Sequence, residues 1–113
     1  MSLKEKLSGF IGTEAYHRLS YYPFKATDGC AFFAEEGGAY WLMDEIGHIV
    51  THPLANEPFL CIIVKSKNGQ ADIRFEDGND KWLVTRHIPF TDLEEGEYKF
   101  FYTDNVLMLP SEY

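Results

Sequence analysis

The chain has 113 residues and a formal net charge of −8, which results from 18 acidic and 10 basic side chains. This length is typical of a single domain, and an apolar fraction of 45% suffices for a core without metal or disulfide bonds. No basic patch is available for a phosphate backbone, so direct nucleic-acid binding is not expected. No apolar stretch is long enough to span a membrane, and the charged N-terminus is not a signal peptide. We therefore expect one cytoplasmic domain over residues 1–113.

The N-terminal part of the chain carries weak structural signals. Residues 3–8 fit one helical turn with Leu3 and Leu7 on its apolar side. Residues 16–24 contain three tyrosines and a phenylalanine around Pro23, and they are expected to form a strand or an extended arm.

Two helices are predicted next. The first covers residues 30–36, is capped by Asp28 and ends at Gly37-Gly38. The second runs from Ala39 to about Ile49, because its apolar residues recur at the spacing of one helix face. Pro53 disfavours helical geometry at the preceding residue and therefore ends this helix.

From Phe59 onward, apolar residues recur at every second position, which is typical of strands. The predicted strands are Phe59–Lys67, Gln70–Glu76, Lys81–Phe90, Tyr98–Thr103 and Val106–Leu109. The order of elements predicts an α+β fold, in which two short helices pack on one face of an antiparallel meander sheet of four to five strands.

Two turns set the strand registers. A two-residue turn at Asn68-Gly69 pairs Lys67 with Gln70 and brings Ile62, Val64, Ile73 and Phe75 to the core face.

A four-residue turn over residues 77–80 pairs Phe75 with Trp82 and Ile73 with Val84. A two-residue turn at Asp77-Gly78 would instead put Phe75 opposite Asp80, which is less favourable. Both alternatives leave Trp82 and Val84 on the core face, and alternation adds Arg86 to them.

Two stretches resemble an uncharacterised bacterial family of small single-domain proteins, classed as a domain of unknown function. One is Thr27-Asp28-Gly29 leading into residues 38–46 (GAYWLMDEI), and the other is residues 102–113 (YTDNVLMLPSEY). The resemblance favours a complete bacterial protein over a fragment. It implies no reaction, ligand or catalytic residue.

The second predicted helix carries an unusual solvent face. This candidate binding surface consists of Tyr40, Trp41, Asp44, Glu45 and His48. One interpretation is that the N-terminal arm or another helix covers Trp41, since large aromatic side chains rarely stay exposed. The other is a contact surface for a partner, such as a second copy of the chain. Glu45 and His48 have the spacing of a metal site, but the chain has too few helices to supply further ligands, so no metal or cofactor is expected.

Two other parts of the sequence are candidates for chemistry. Cys30 begins a predicted helix, where a thiol pKa can fall, but a buried and inert thiol is the better interpretation, and both cysteines are expected to be free. Arg86 and His87, together with Asp44 and His48, would form a cleft between helices and sheet if the protein were an enzyme.

No catalytic motif is present, so we predict a non-enzymatic binding or protein-interaction module that self-associates. The alternatives are a small enzyme with the cleft just described, and an acidic mimic that blocks a nucleic-acid-binding protein.

Overall fold

A computed structural model describes residues 2–52, 57–79 and 81–113. These residues contain three helices, six strands and a final 3₁₀ turn. In chain order they are α1 (Leu3–Leu7), β1 (Lys25–Ala26), α2 (Asp28–Glu36), α3 (Tyr40–Val50), β2 (Phe59–Lys67), β3 (Gln70–Glu76), β4 (Trp82–Ile88), β5 (Gly96–Thr103), β6 (Val106–Met108) and the 3₁₀ turn Pro110–Glu112.

All six strands form one sheet in the order β1-β6-β5-β2-β3-β4. Every pairing is antiparallel except that of β1 with β6, so the sheet is mixed. The predicted α+β class is confirmed, and the sheet is larger than the predicted four to five strands. The addition is β1, a two-residue strand directly after the predicted arm, which is too short to give a periodic signal. No helix within the described ranges is long and apolar enough to cross a membrane.

The register of the first hairpin is confirmed. Lys67 lies opposite Gln70, and Val64 lies opposite Ile73. Asn68 and Gly69 both have positive φ, 55° and 73°, as a two-residue turn between twisted strands requires.

The register predicted for the second hairpin is wrong. Val84, not Trp82, lies opposite Phe75, and a bulge between Phe75 and Glu76 brings Trp82 opposite Glu76. The bulge adds one residue to β4, which reverses the side of the sheet on which Trp82 lies. Trp82 is 61% exposed, whereas Val84 packs against the core as predicted. The turn between these strands includes Asp80, which lies outside the described residues.

The helices begin and end close to the predicted positions. Thr27, not Asp28, caps α2, since its hydroxyl accepts a hydrogen bond from the Cys30 amide while Asp28 is the first helical residue. A carboxylate in the first turn still suits the helix dipole. Helix α3 ends at Val50, and Pro53, which was expected to stop it, lies outside the described residues.

The core lies between the helices and one face of the sheet, the inner face. On this face Ile62, Phe75 and Phe100 are completely buried. From the helices, Phe33 packs against Phe100, with the two ring centroids 5.1 Å apart. Leu42 and Ile46 of α3 are also completely buried.

Candidate interaction surface

The surface predicted on α3 is largely engaged within the chain. The Ser20 hydroxyl donates to Asp44 at 2.6 Å, and the Tyr22 hydroxyl lies 3.1 Å from Nδ1 of His48. Both partners come from the N-terminal arm, residues 16–24. Trp41 is partly buried and packs against the core, while Tyr40 is about half exposed. The arm therefore contacts this helix face at Asp44 and His48, but both residues, like Tyr40, remain exposed. Which of the two interpretations holds for Trp41 stays a prediction.

A glycine makes the close approach of the arm possible. A Cβ atom added to Gly47 would lie 2.8 Å from Cβ of Tyr22 and 2.9 Å from a ring carbon of Phe24. Such distances are shorter than van der Waals contact, so Tyr22 and Phe24 can pack this close to α3 only because position 47 has no side chain. Gly47 thus fixes where Tyr22 meets His48.

The residues proposed for a catalytic cleft do not gather. Arg86 extends from the inner face of β4 to α3, where its guanidinium lies 3.0 Å from the Glu45 carboxylate. His87 points to the other side of the sheet and lies 2.7 Å from Asp72. Strand alternation separates the two neighbours. Arg86 therefore ties the sheet to a helix, and Glu45 is engaged in that ion pair.

The opposite side of the sheet, which we call the outer face, is not covered by any of the three described helices. It is formed by Phe59, Cys61, Ile63, Lys65, Asp72, Arg74, Glu76, Trp82, Lys99 and Phe101. Cys61 and Ile63 are only 8% exposed, because their larger neighbours on this face shield them. The outer face thus combines a buried apolar floor with a rim of large side chains.

A stacked arginine and tryptophan stand on the outer face, on the neighbouring strands β3 and β4. The guanidinium of Arg74 lies over the Trp82 ring at 4.4 Å, and its Nε lies 2.7 Å from the Glu76 carboxylate. The second contact is an ion pair without a well-aligned hydrogen bond. The ion pair positions Arg74, and stacking on Arg74 restrains the Trp82 ring, most of which remains exposed.

Two cavities flank this stack. The larger, of about 570 Å³, lies between the Arg74–Trp82 stack and the rings of Phe59 and Phe101. The smaller, of about 230 Å³, lies on the side of Lys65 and Asp72. Cys61 lines the larger cavity, and burial raises the pKa of its thiol.

Aromatic side chains close one end of the larger cavity. The rings of Phe59 and Phe101 lie 5.0 Å apart, and Tyr113 contacts both of them at 5.7 and 5.6 Å. Tyr113 is itself mostly exposed. Offset and edge-to-face contacts of this kind make a firm surface from side chains that have few rotamers.

The charge of the outer face differs from that of the whole chain. Three basic residues (Lys65, Arg74 and Lys99) and two acidic residues (Asp72 and Glu76) line its two cavities. The chain as a whole has 10 basic and 18 acidic residues. An otherwise acidic molecule therefore presents one nearly neutral, aromatic face.

Sequence reasoning missed this face, although β2 carries a signal for it. Both alternating sets of this strand are apolar, namely Phe59, Cys61 and Ile63 on one side and Leu60, Ile62 and Val64 on the other. A strand with one solvated face alternates between apolar and polar residues, so apolar residues on both sides indicate two contact faces.

The other chemical candidates give no reaction centre. Burial raises the pKa of the Cys30 thiol to about 12, so this cysteine is inert despite its place at a helix start. Both cysteines are free, as expected. Within the described ranges, no group of three or more His, Cys, Asp or Glu side chains is arranged to hold a metal ion.

Comparison with known proteins gives a family without a function. The model of a family of unknown function, DUF6876, matches residues 1–113. The chain belongs to this family. No curated protein and no solved structure matches the sequence significantly.

Proposed function

We propose that this family member is a protein-interaction module that self-associates through the outer face of its sheet. The observation that carries the proposal is the Arg74–Trp82 stack, which stands exposed over an apolar floor beside an aromatic cluster. Tryptophan and arginine are the residue types most enriched among those that dominate binding energy. An exposed aromatic face on a small protein typically marks an interface.

A second copy is the partner that the charge favours. Two molecules that each carry a charge of −8 repel one another over most of their surfaces. That repulsion is weakest where basic and acidic side chains nearly balance, as they do around the two cavities. A two-fold dimer also needs a self-complementary surface, and a face with both Arg74 and Glu76 provides charges of both signs.

The geometry suits the packing of one sheet on another. Two antiparallel sheets pack face to face at a separation of about 10 Å, with interdigitating side chains. Trp82 of each copy would enter the larger cavity of the other, against Phe59 and Phe101. The inner face, by contrast, has its helices in place and offers no such surface.

Self-association should be measured by light scattering after size-exclusion chromatography and by sedimentation velocity, over a wide concentration range. We expect a reversible dimer, and Trp82→Ala should weaken it about a thousandfold, since the substitution truncates one anchor in each copy at a cost of about 2 kcal/mol per anchor. Tyr21→Ala is the matched control, because Tyr21 is an exposed aromatic residue on the N-terminal arm. A monomer at every concentration, or equal weakening by both variants, would refute the proposal.

The two alternatives receive less support. A small enzyme would need Asp44, His48, Arg86 and His87 around one site, and none of the five cavities described within residues 2–52, 57–79 and 81–113 is lined by any of them. An acidic mimic needs a continuous negative surface, which the outer face interrupts. We also propose a cytoplasmic location, which the two unpaired thiols support.

A further inference from the structure

A separate cavity of about 430 Å³ lies between α1, β5 and the 3₁₀ turn. Leu7, Tyr98 and Leu109 contribute to its lining, and each of these side chains is at least nine-tenths buried. Most of the cavity wall is apolar, and its volume falls in the range of small-molecule sites. The site differs from the outer face in position, and only Lys99 borders both.

The charged residues that line this cavity are two lysines and one glutamate, which is a net positive set in an otherwise acidic chain. Lys4 and Lys99 border it, together with Glu97 and the serines Ser8 and Ser111. Neither lysine forms an ion pair with a carboxylate in the described part of the chain. In a protein with a net charge of −8, two unpaired lysines beside an apolar pocket favour an anion with an apolar body.

One wall of the cavity is fixed in advance by a carboxylate. Glu112, in the 3₁₀ turn, accepts hydrogen bonds from the Thr27 hydroxyl at 2.6 Å, the Gly29 amide at 3.0 Å and the Leu109 amide at 3.0 Å. A Cβ atom at Gly29 would lie 2.5 Å from Leu109 Cδ1, so the turn packs tightly on α2. A wall held in this way loses little entropy when a ligand binds.

We infer that this cavity binds a small aliphatic carboxylate, with its chain on Leu7 and Leu109 and its carboxylate between Lys4 and Lys99. Leu7, Leu109 and Pro110 form the aliphatic part of the lining beside Tyr98, and a flexible hydrocarbon chain can follow these side chains. The two lysines select the charge of the head group. This inference does not rest on self-association through Trp82, and Lys4, which does not line the outer face, tests the cavity separately from it.

Titration of the full-length protein with octanoate tests the inference, by calorimetry and by amide chemical shifts in NMR spectra. We expect saturable one-to-one binding, with the largest shifts at Leu7, Tyr98 and Ser111. Lys4→Ala and Lys99→Ala should each weaken binding about fivefold, as expected for an ion pair near the surface. Octanol and octylamine, which lack the negative charge, should bind much more weakly.

Lys6→Ala provides a matched control, since Lys6 lies on the same helix but pairs with Glu36 at 3.7 Å and borders a different cavity. It should leave octanoate binding unchanged. Both Lys4 and Lys99 are exposed, so their variants should fold, which a thermal melt will confirm. Absence of saturable binding, equal binding of octanol, shifts confined to other regions, or equal effects of Lys4→Ala and Lys6→Ala would each overturn the inference.

Discussion

The two faces of the sheet differ in what lies beyond them. On the inner side the sheet is followed by the helices, and then by the N-terminal arm, which packs on α3 through Tyr22 and Ser20. On the outer side, the side chains of the strands and the ring of Tyr113 form the surface of the described part of the chain, and Trp82 is mostly exposed. Both faces are rich in apolar residues, but the three described helices cover only the inner one.

This difference separates residues that support stability from residues that are free to bind. Phe100 and Phe101 are neighbours on β5 and illustrate the contrast. Phe100 is completely buried against Phe33, whereas Phe101 belongs to the partly exposed aromatic cluster of the outer face. The core between the sheet and the helices can therefore stabilise the fold whether or not a partner is bound to the outer face.

The largest expected effect comes from truncating these two neighbours. Phe100→Ala should lower the free energy of unfolding by about 3–5 kcal/mol, because it leaves a cavity in a closed core. Phe101→Ala should cost about 1 kcal/mol in the monomer, since its ring already meets solvent. Urea denaturation at low protein concentration measures both. Equal costs would show that the outer face is as structural as the inner one.

A smaller effect is expected at the contact between α3 and the arm. Gly47→Ala should improve helix propensity by about 1 kcal/mol, but the new methyl group overlaps Tyr22 and Phe24. Because the nearest atom is Cβ of Tyr22, the arm itself must shift, at a cost of about 1–3 kcal/mol. We therefore expect net destabilisation by about 1 kcal/mol in thermal or urea unfolding.

Gly12→Ala is the control for this change, because a Cβ atom at Gly12 meets no atom within 4 Å. It should leave stability nearly unchanged. A stabilised Gly47→Ala variant would indicate that the arm is not held against α3, and the layering of the inner side would need revision.

The smallest expected effect concerns acid pH. Hydrogen bonds from the Glu14 amide and the His17 ring hold the pKa of Asp28 below its ordinary value of 3.8. A lowered pKa in the folded state means that this stabilisation is complete above about pH 3.8 and is lost as pH falls through the lowered value. Asp28→Asn should therefore reduce the acid dependence of unfolding in that window. An unchanged profile would contradict the assignment.

Much of the inner side was predictable from the sequence, because local chemistry determines it. Asn68-Gly69 allows one tight turn, and the resulting register brings Ile62 and Phe75 together as observed. The register of the second hairpin was predicted wrongly, because a β-bulge cannot be recognised from an alternating pattern of residues. The bulge moves Trp82 to the opposite face of the sheet. Strand β1 was not predicted for another reason, namely that two residues are too few to show a periodic pattern.

The interaction surface was harder to predict than the fold. The composition showed a high fraction of aromatic residues. The prediction of a binding surface on α3, however, required that the N-terminal arm leave that helix face free. The arm is fixed by contacts between residues distant in sequence, such as Tyr22 with His48, and these cannot be obtained from local patterns. The outer face, in turn, needs the bulge at Glu76 to bring Trp82 over Arg74.

The parallel pairing of β1 with β6 has a consequence for how the chain folds. Hairpins β2–β3, β3–β4 and β5–β6 join neighbouring segments, so their loops close at little entropic cost. Pairing Lys25 with Val106 instead joins the first quarter of the chain to its last tenth. Such high contact order slows folding, so this edge of the sheet is expected to assemble after the hairpins have formed. The Glu112 contacts with α2 would then form in the same late step.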